Sequence, residues 1–412
     1  MALDPAAVLK PATLVRDQHL LPGSPKRVLA LDGGGVRGLI TLGILQRVED
    51  LLASQLRPED PTSFRLAHYF DLIGGTSTGS IIAASLALGH TVEQVRQSYL
   101  TFAPKIFKES DRQGFFKPKF DKAAIDAELR TQFEDHTLDS PSLITGLAIC
   151  TKRMDTGSPW VLFNHPGGEF WDKDKNSDFL LRDVIRASAA APYFFDPHKF
   201  VVGRGKDDKG EEGIFVDGGV AGLNNPSVEL LTLVLQKDYP FHWNAGTSNL
   251  FMLSVGSGWF RERHDAKTFM NKSNLEKAKD AMVSMIHDTQ LLGIKTMQTL
   301  SVPPRRDPRF NFRINAEIET MPSLGVANPP LLTFRRLDAS LERFDLEPVV
   351  KASWSKIETK QKYSDRLYER LQTKLRQIDN AKPDTMAWLY EAGYQAGAHL
   401  ANERASETLD VF

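Results

Sequence analysis

The stretch that decides the predicted fold is residues 72–79, which read LIGGTSTG. The run Tyr69 to Ile73 is typical of a buried strand, and the apolar stretch after Gly79 is typical of a central helix. Glycine at Gly75 and Gly79 allows a tight turn between these two elements, and such a turn lifts the hydroxyl of Ser77 out of the sheet. Residues 72–79 therefore predict a strand, a turn and a helix that present a nucleophilic serine.

A second glycine-rich turn lies upstream, between another predicted strand and helix. Arg27 to Leu31 has the pattern of a buried strand, and Gly38 to Ser54 has the spacing of a helix. The residues between them are Asp32, Gly33, Gly34, Gly35, Val36 and Arg37. Successive glycines let backbone amides point toward one atom, as an oxyanion hole requires. A nucleotide-binding loop is the alternative, but the P-loop ending is absent and the dinucleotide fingerprint is met only loosely.

A candidate general base follows a third predicted strand, Ile214 to Val216. Asp217 stands at the end of this strand and is followed by Gly218 and Gly219. Because sites in α/β proteins assemble at strand ends, Asp217 is placed to reach Ser77. Taken alone, an aspartate that caps a turn is the alternative interpretation.

These three elements, in this order, resemble the patatin-like phospholipase family. The resemblance extends to residues 186–195 (RASAAAPYFF) and to Asn224-Asn225-Pro226, and it covers roughly residues 27–259. It implies a three-layer α/β/α hydrolase core with a mostly parallel central sheet. It also implies a Ser77-Asp217 dyad that hydrolyses acyl esters, often of phospholipids, without a cofactor or a catalytic metal. The motif positions with a supporting role are Asp32, Arg37, Gly38, Gly75, Gly79, Gly218 and Gly219.

The oxyanion hole of the resemblance is assigned to Gly33, Gly34 and Gly35. Arg37 either braces this loop or faces a lipid phosphate, and we favour bracing because a loop of three glycines needs a fixed shape. One departure from the family is Ser80, where a further glycine is frequent, and this concerns helix packing more than chemistry.

The sequence divides into three predicted regions. Residues 1–26 form a leader, residues 27–260 the patatin-like catalytic domain, and residues 261–412 a mostly helical extension packed on the core. Further strands are predicted at residues 146–150, 160–163 and 250–255, whereas strand signals fade from about residue 261.

Composition limits the partners and the compartment. The 412 residues carry 51 Lys and Arg against 52 Asp and Glu, a net charge of −1 that argues against a nucleic-acid partner. Cys150 is the single cysteine, which excludes an internal disulfide. Residues 1–26 lack a continuous apolar signal segment and residues 81–88 are too short to span a bilayer. We therefore expect a cytoplasmic enzyme whose contact with membrane surfaces is transient. Nothing in the sequence predicts an oligomeric state.

Two other chemistries remain open from the sequence. A Ser-His-Asp triad would need a histidine such as His198, although none of the ten histidines lies in a recognisable motif. Part of a calcium-loop spacing is matched by Asp172, Asp174, Asn176, Asp178 and Asp183. Ser177 stands where that loop needs glycine, so we interpret the segment as a solvated loop.

A different class of function is a signal-activated effector, whose hydrolase activity a nucleotide or a partner protein switches on. In that case residues 261–412 would act as the sensor. Intact catalytic residues favour the enzyme over an inactive scaffold. Phe115 and Phe116 lie among basic residues and are candidates for an interfacial patch on lipid surfaces.

Overall fold

The computed structural model of the chain describes residues 15–108, 118–172, 176–203, 210–263, 265–301, 326–358 and 361–398. The strands in these ranges are β1 (Lys26–Leu31), β2 (Leu72–Thr76), β3 (Gly146–Arg153), β4 (Ser158–Phe163), β5 (His198–Gly203), β6 (Glu211–Asp217), β7 (Leu250–Val255) and β8 (Thr333–Leu337). They form one sheet in the order β5-β6-β3-β2-β1-β7-β8, and β4 pairs with β3 outside this path. Strands β3, β2, β1, β7 and β8 run parallel to one another.

Helices cover both faces of this sheet. In chain order, those in the described ranges are α1 (Val15–Leu20), α2 (Gly38–Leu56), α3 (Thr78–Ala87), α4 (Val92–Ile106), α5 (Lys122–Phe133), α6 (Leu181–Ser188), α7 (Ser227–Leu235), α8 (Ala266–Met270), α9 (Asn274–Leu300), α10 (Arg343–Ile357), α11 (Asp365–Leu375) and α12 (Pro383–Ala396). On β1, Leu29 and Leu31 enter one apolar cluster with residues of α2 to α6, whereas Val28 and Ala30 enter another with residues of α7 and α9. A strand whose alternate side chains enter two clusters is buried on both faces. The predicted α/β/α core with a mostly parallel sheet is confirmed.

The ends of β2 and β6 meet along one edge of β3. Thr76, the last residue of β2, pairs with Cys150, and Asp217, the last residue of β6, pairs with the next residue, Thr151. Because β2 runs parallel to β3 and β6 runs antiparallel to it, the two strands point at each other. Strand β4 occupies the opposite edge of β3. Ser77 and Asp217 therefore approach each other from strands of opposite direction.

Residues 261–412 contribute to the sheet as well as to the helical layer. Strand β8 extends the sheet beyond β7 in parallel register, in a region whose strand signals are weak in the sequence. Helix α12 packs against α2 so closely that a Cβ atom on Gly43 or Gly393 would lie within 2.4 Å of the opposing backbone. The extension is thus joined to the core through direct backbone contact, which glycine permits.

Several predicted boundaries differ from the structure. Strand β2 begins at Leu72 rather than Tyr69, because residues 66–68 form a short 3-10 turn. Strand β5 was not predicted from the apolar pattern, since polar and aromatic residues interrupt it. Phe115 and Phe116 lie outside the described residues. Within the described ranges, no helix has both the length and the apolar character needed to cross a bilayer.

Candidate active site

Ser77 lies at the junction of β2 and α3 in a conformation that residues other than glycine rarely adopt. Its φ is 53° and its ψ is −124°, so the surrounding structure must compensate the strain. The Ser77 amide donates to the Ser188 hydroxyl at 2.8 Å, and that hydroxyl donates to the Cys150 carbonyl at 2.6 Å. Ser188 lies in the 186–195 segment, but its contact with the serine turn was not predicted from the sequence. The start of α3 also directs its unpaired amides and positive dipole end toward this turn.

The carboxylate of Asp217 accepts a hydrogen bond from the Gly219 amide at 2.8 Å, and the Ser77 side chain lies close enough to help stabilise the ionised carboxylate. Asp217 is only 6% exposed. Burial raises the pKa of Asp217 to about 6, and the Ser77 side chain and the Gly219 amide offset this rise only in part. A carboxylate with this pKa is ionised at neutral pH and is a stronger base than a solvated aspartate.

The amides of the glycine loop differ in their partners. The Gly33 amide donates to the backbone carbonyl of Asn224 at 3.0 Å, so it departs from the expectation that all three amides face an oxyanion. The amides of Gly34 and Gly35 have no hydrogen-bond acceptor within the described part of the chain. Gly35 has a φ of 57°, which glycine adopts without a Cβ penalty. Gly34 and Gly35 thus retain donors suited to a developing negative charge.

The glycine loop lies directly against the serine and is fixed from behind. A Cβ atom on Gly33 would be 3.1 Å from the Ser77 Cβ atom. The Ser257 hydroxyl donates to the Gly33 carbonyl at 2.8 Å, and the Val36 amide donates to the Ile378 carbonyl at 2.7 Å. The segment that follows β7 and the C-terminal extension therefore hold the loop in place before substrate binds.

Asp32, at the start of the loop, lies at the centre of a buried ionic network. The guanidinium of Arg336 in β8 donates to both Asp32 oxygens, at 2.9 and 2.6 Å, and to Asp338 at 2.7 Å. The side-chain amides of Asn225 and Gln290 donate to the same Asp32 carboxylate at 2.8 and 2.7 Å. Arg336, Asp338 and Gln290 were not predicted from the sequence, because no local pattern shows that these distant side chains meet in one network.

Arg37 packs behind the loop on an aromatic ring. Its guanidinium carbon lies 5.4 Å from the Phe260 ring centroid, and its Nε and Nη1 atoms have no hydrogen-bond partner among the described residues. Burial lowers the pKa of Arg37 to about 10, so it stays cationic at neutral pH. This stacking supports the bracing role over direct contact with a lipid phosphate.

The remaining glycines of the motifs are closely packed. A Cβ atom on any of them would lie within 3.1 Å of a neighbouring atom: Gly38, Gly75, Gly79, Gly218 and Gly219.

The histidine proposed for a conventional triad has a different partner. The Nε2 atom of His198 lies 3.0 Å from the Asp183 carboxylate, and its ring stacks on Phe200. No histidine in the described ranges is hydrogen-bonded to Ser77, so the geometry favours a dyad over a triad. Residues 173–175 of the calcium-like loop lie outside the described residues. The part of the chain that the structure describes contains no group of three His, Cys, Asp or Glu side chains that could hold a metal ion.

Comparison with known proteins identifies the domain that carries this site. The family described as Patatin-like phospholipase matches residues 29–231, a range that includes Ser77 and Asp217. These residues, 203 of the 412 in the chain, resemble a patatin-like phospholipase domain. This chain is 31% identical to Patatin-T5 over 248 residues and 31% identical to Patatin-12 over 244 residues, both from Solanum tuberosum. The two alignments cover 57% and 56% of this chain.

The similarity covers only part of this chain and part of its relatives. It spans about three fifths of the curated relatives, 61% of Patatin-T5 and 60% of Patatin-12. The crystal structure of VipD from Legionella pneumophila aligns with 97% of this chain and 72% of its own at 13% identity, with a TM-score of 0.36. Because a TM-score of this size does not establish a shared fold, the assignment rests on the sequence matches. Arg336 and Gln290 lie outside the matched domain.

Proposed function

We propose that this protein is a lipid acyl hydrolase that cleaves carboxylic ester bonds of phospholipids or other lipid esters with Ser77 and Asp217. The observation that carries the proposal is the position of the Ser77 side chain beside the buried Asp217 carboxylate. It lies within a domain that matches the patatin-like phospholipase family. In this proposal residues 27–260 form the catalytic domain and residues 261–412 support it.

In the first half of the reaction, the Ser77 oxygen attacks the ester carbonyl carbon and its proton passes to Asp217. The carbonyl oxygen becomes an oxyanion, which accepts hydrogen bonds from the Gly34 and Gly35 amides. When this tetrahedral intermediate collapses, the bond to the leaving alcohol breaks and that alcohol takes the proton from Asp217. The acyl group remains on Ser77 as an ester.

In the second half, water attacks the acyl-serine ester and gives a proton to Asp217. The intermediate collapses, the proton returns to Ser77 and the free fatty acid leaves. The strained turn holds the Ser77 oxygen beside the Asp217 carboxylate in both halves, so little reorganisation is needed at the moment of reaction. No step requires a metal ion or a cofactor.

The alternative is an effector whose activity depends on a nucleotide or a partner protein. We favour an enzyme active on its own, because the Ser77 side chain already lies beside the Asp217 carboxylate in the free chain. Transient contact with a membrane surface is part of the proposal, since phospholipid substrates lie in bilayers. Assays of the purified chain with and without added nucleotide separate the two readings.

The proposal is tested by incubating the protein with mixed phospholipids, galactolipids and monoacyl esters and measuring released fatty acids by mass spectrometry. We expect release by the wild type and none by Ser77→Ala. A fluorophosphonate reagent should label the wild type and the exposed-site control Ser98→Ala, but not Ser77→Ala. Labelling that persists in Ser77→Ala, or hydrolysis that Asp217→Asn leaves intact, would contradict the dyad.

A further inference from the structure

Helix α9 contacts segments near the candidate site through two side chains of one face, and we call these two contacts its ties. The Lys279 ammonium lies 4.2 Å from the Tyr193 ring centroid. Eleven residues later, Gln290 donates to Asp32 at 2.7 Å and accepts from the Asn224 side-chain amide at 2.9 Å. Eleven residues are just over three helical turns, about 16 Å of rise, so Lys279 and Gln290 lie on the same side of the helix. That side is the inner face of α9.

Each tie joins α9 to a segment that lies close to the proposed base, Asp217. At one tie, the Ala190 carbonyl of the loop that leads to Tyr193 accepts a hydrogen bond from the Asp217 amide at 3.1 Å. At the other, a Cβ atom on Gly219 would lie 3.1 Å from the Asp217 Oδ1 atom and 3.5 Å from the Asn224 Oδ1 atom. The part of α9 between its ties is therefore held near Asp217.

The inner face between the ties is apolar and incompletely packed. Val283 and Ile286 lie four and seven residues after Lys279, which puts them on the same face of the helix. Both side chains are half-exposed rather than buried. Neither belongs to the two apolar clusters of the described residues, although Ile294 further along the same face does.

The segment after Asp217 also carries apolar side chains that are not fully buried. The segment after Asp217 contacts α9 at Gly222, where a Cβ atom would lie 3.5 Å from Thr289. In this segment Val220 is 37% exposed and Leu223 is half-exposed. Apolar side chains that are only partly buried beside a site are available for contact with an apolar ligand.

We propose that Val283 and Ile286 of α9 and Val220 line the binding site for the acyl chain of the substrate. This inference rests on the proposed function, because it places the chain beside the ester that Ser77 attacks. An acyl chain needs apolar contact and no hydrogen-bond partner, which matches these walls. Polar groups close to this face of α9 are engaged elsewhere, as Asp280 pairs with Lys272 and His287 packs on Phe260.

The test compares esters of one alcohol that differ only in acyl length, for example butanoate and hexadecanoate of p-nitrophenol. Tryptophan at the two helix positions, Val283→Trp and Ile286→Trp, narrows the site near its walls. We expect the ratio of kcat/KM for the long ester to that for the short ester to fall at least tenfold. The smaller variant Val283→Ala with Ile286→Ala should lower the same ratio by reducing contact with the chain.

Matched controls are Met285→Trp and Leu292→Trp, which enlarge residues of the same helix that are 67% and 62% exposed. We expect their chain-length ratio to stay within twofold of the wild type. An unchanged ratio in the alanine double variant and in either tryptophan variant that retains activity would overturn the acyl-chain site, while leaving the hydrolase proposal standing. Absence of hydrolysis of every ester by the wild type would overturn both.

Discussion

Arg336 and Asp32 form a two-point ion pair in the protein interior, although 304 residues separate them in the chain. The exposed fractions of the two side chains are 2% and 0%. Burial raises the pKa of Asp32 to about 6, because lost hydration outweighs the attraction of Arg336. Burial alone would lower the pKa of Arg336, but Asp32 and Asp338 hold it above its usual value. Both partners are charged at neutral pH, and β8 thereby anchors the first residue of the glycine loop.

Arg336→Ala is expected to lower the free energy of unfolding by about 3–5 kcal/mol, because it leaves a buried carboxylate without its cation. Urea denaturation followed by circular dichroism measures this change. The rate of fluorophosphonate labelling at Ser77 should also fall, since the loop that carries Gly34 and Gly35 loses its anchor. Arg336→Lys should recover little of either property, because an ammonium cannot reproduce the two parallel hydrogen bonds.

The matched control is Arg343→Ala. This arginine also pairs with a carboxylate, Glu347 at 3.0 Å, but its side chain is 48% exposed. Exposed ion pairs contribute little, so this variant should be close to the wild type. Equal destabilisation by the two substitutions would show that burial of the Arg336 pair is unimportant.

Gly35→Ala is expected to abolish ester hydrolysis and to destabilise the fold. Gly35 has a φ of 57°, and a Cβ atom there would lie 2.1 Å from the Ile378 carbonyl oxygen. Gly157→Ala is the matched control, since Gly157 also has a positive φ, of 71°, but has open space around its Cβ position. It should lose only about 1–2 kcal/mol from the backbone conformation. Comparison of thermal midpoints and kcat/KM isolates the contact with the C-terminal extension, and equal losses would argue against it.

The acid side of the pH profile should follow Asp217. A base must be deprotonated to accept the Ser77 proton, and burial raises the pKa of Asp217 to about 6. We therefore expect kcat/KM to be constant above about pH 7 and to fall tenfold per unit well below pH 6. His198→Gln should keep this limb in place. Loss of the limb in His198→Gln, or activity that is flat down to pH 4.5, would rule out Asp217 as the titrating base.

Asp217→Asn should be inactive and yet more stable than the wild type at pH 7. The pKa of Asp217 rises on folding from 3.8 to about 6, so ionisation opposes folding and stability falls as pH increases between those values. A rise of about two pKa units corresponds to roughly 3 kcal/mol, which asparagine would recover at neutral pH. Urea denaturation at pH 7 and pH 4 measures the difference, which should nearly vanish at pH 4. A variant that is less stable than the wild type at pH 7 would contradict the raised pKa.

Local sequence was sufficient to predict the units that carry the candidate site. Apolar runs followed by glycine turns indicated the strand and helix on either side of Ser77 and of Gly33 to Gly35, and both units occur in the structure. Such patterns are informative because strands and turns depend mainly on residues that are neighbours in the chain. The same reasoning placed Asp217 at a strand end, where it lies.

The sequence did not predict how Ser77 and Asp217 come together. Strand β6 is antiparallel to β3 and reaches Asp217 from the direction opposite to β2, so the site is formed by two strand ends that face each other. The sequence also suggested three free amides in the glycine loop, but the Gly33 amide donates to the Asn224 carbonyl, so only two remain as candidate donors. Both features depend on register between distant segments, which no local pattern specifies.

From its sequence alone, this protein could be assigned an α/β/α core, a tight serine turn, a glycine loop and a candidate acid-base partner. Tertiary structure alone decided the burial that raises the pKa of Asp217, the two-point contact of Arg336 with Asp32, and the contact of Gln290 of α9 with Asp32. The reason is physical: backbone preference is set by adjacent residues, whereas burial and charge pairing depend on which distant segments exclude water from one another.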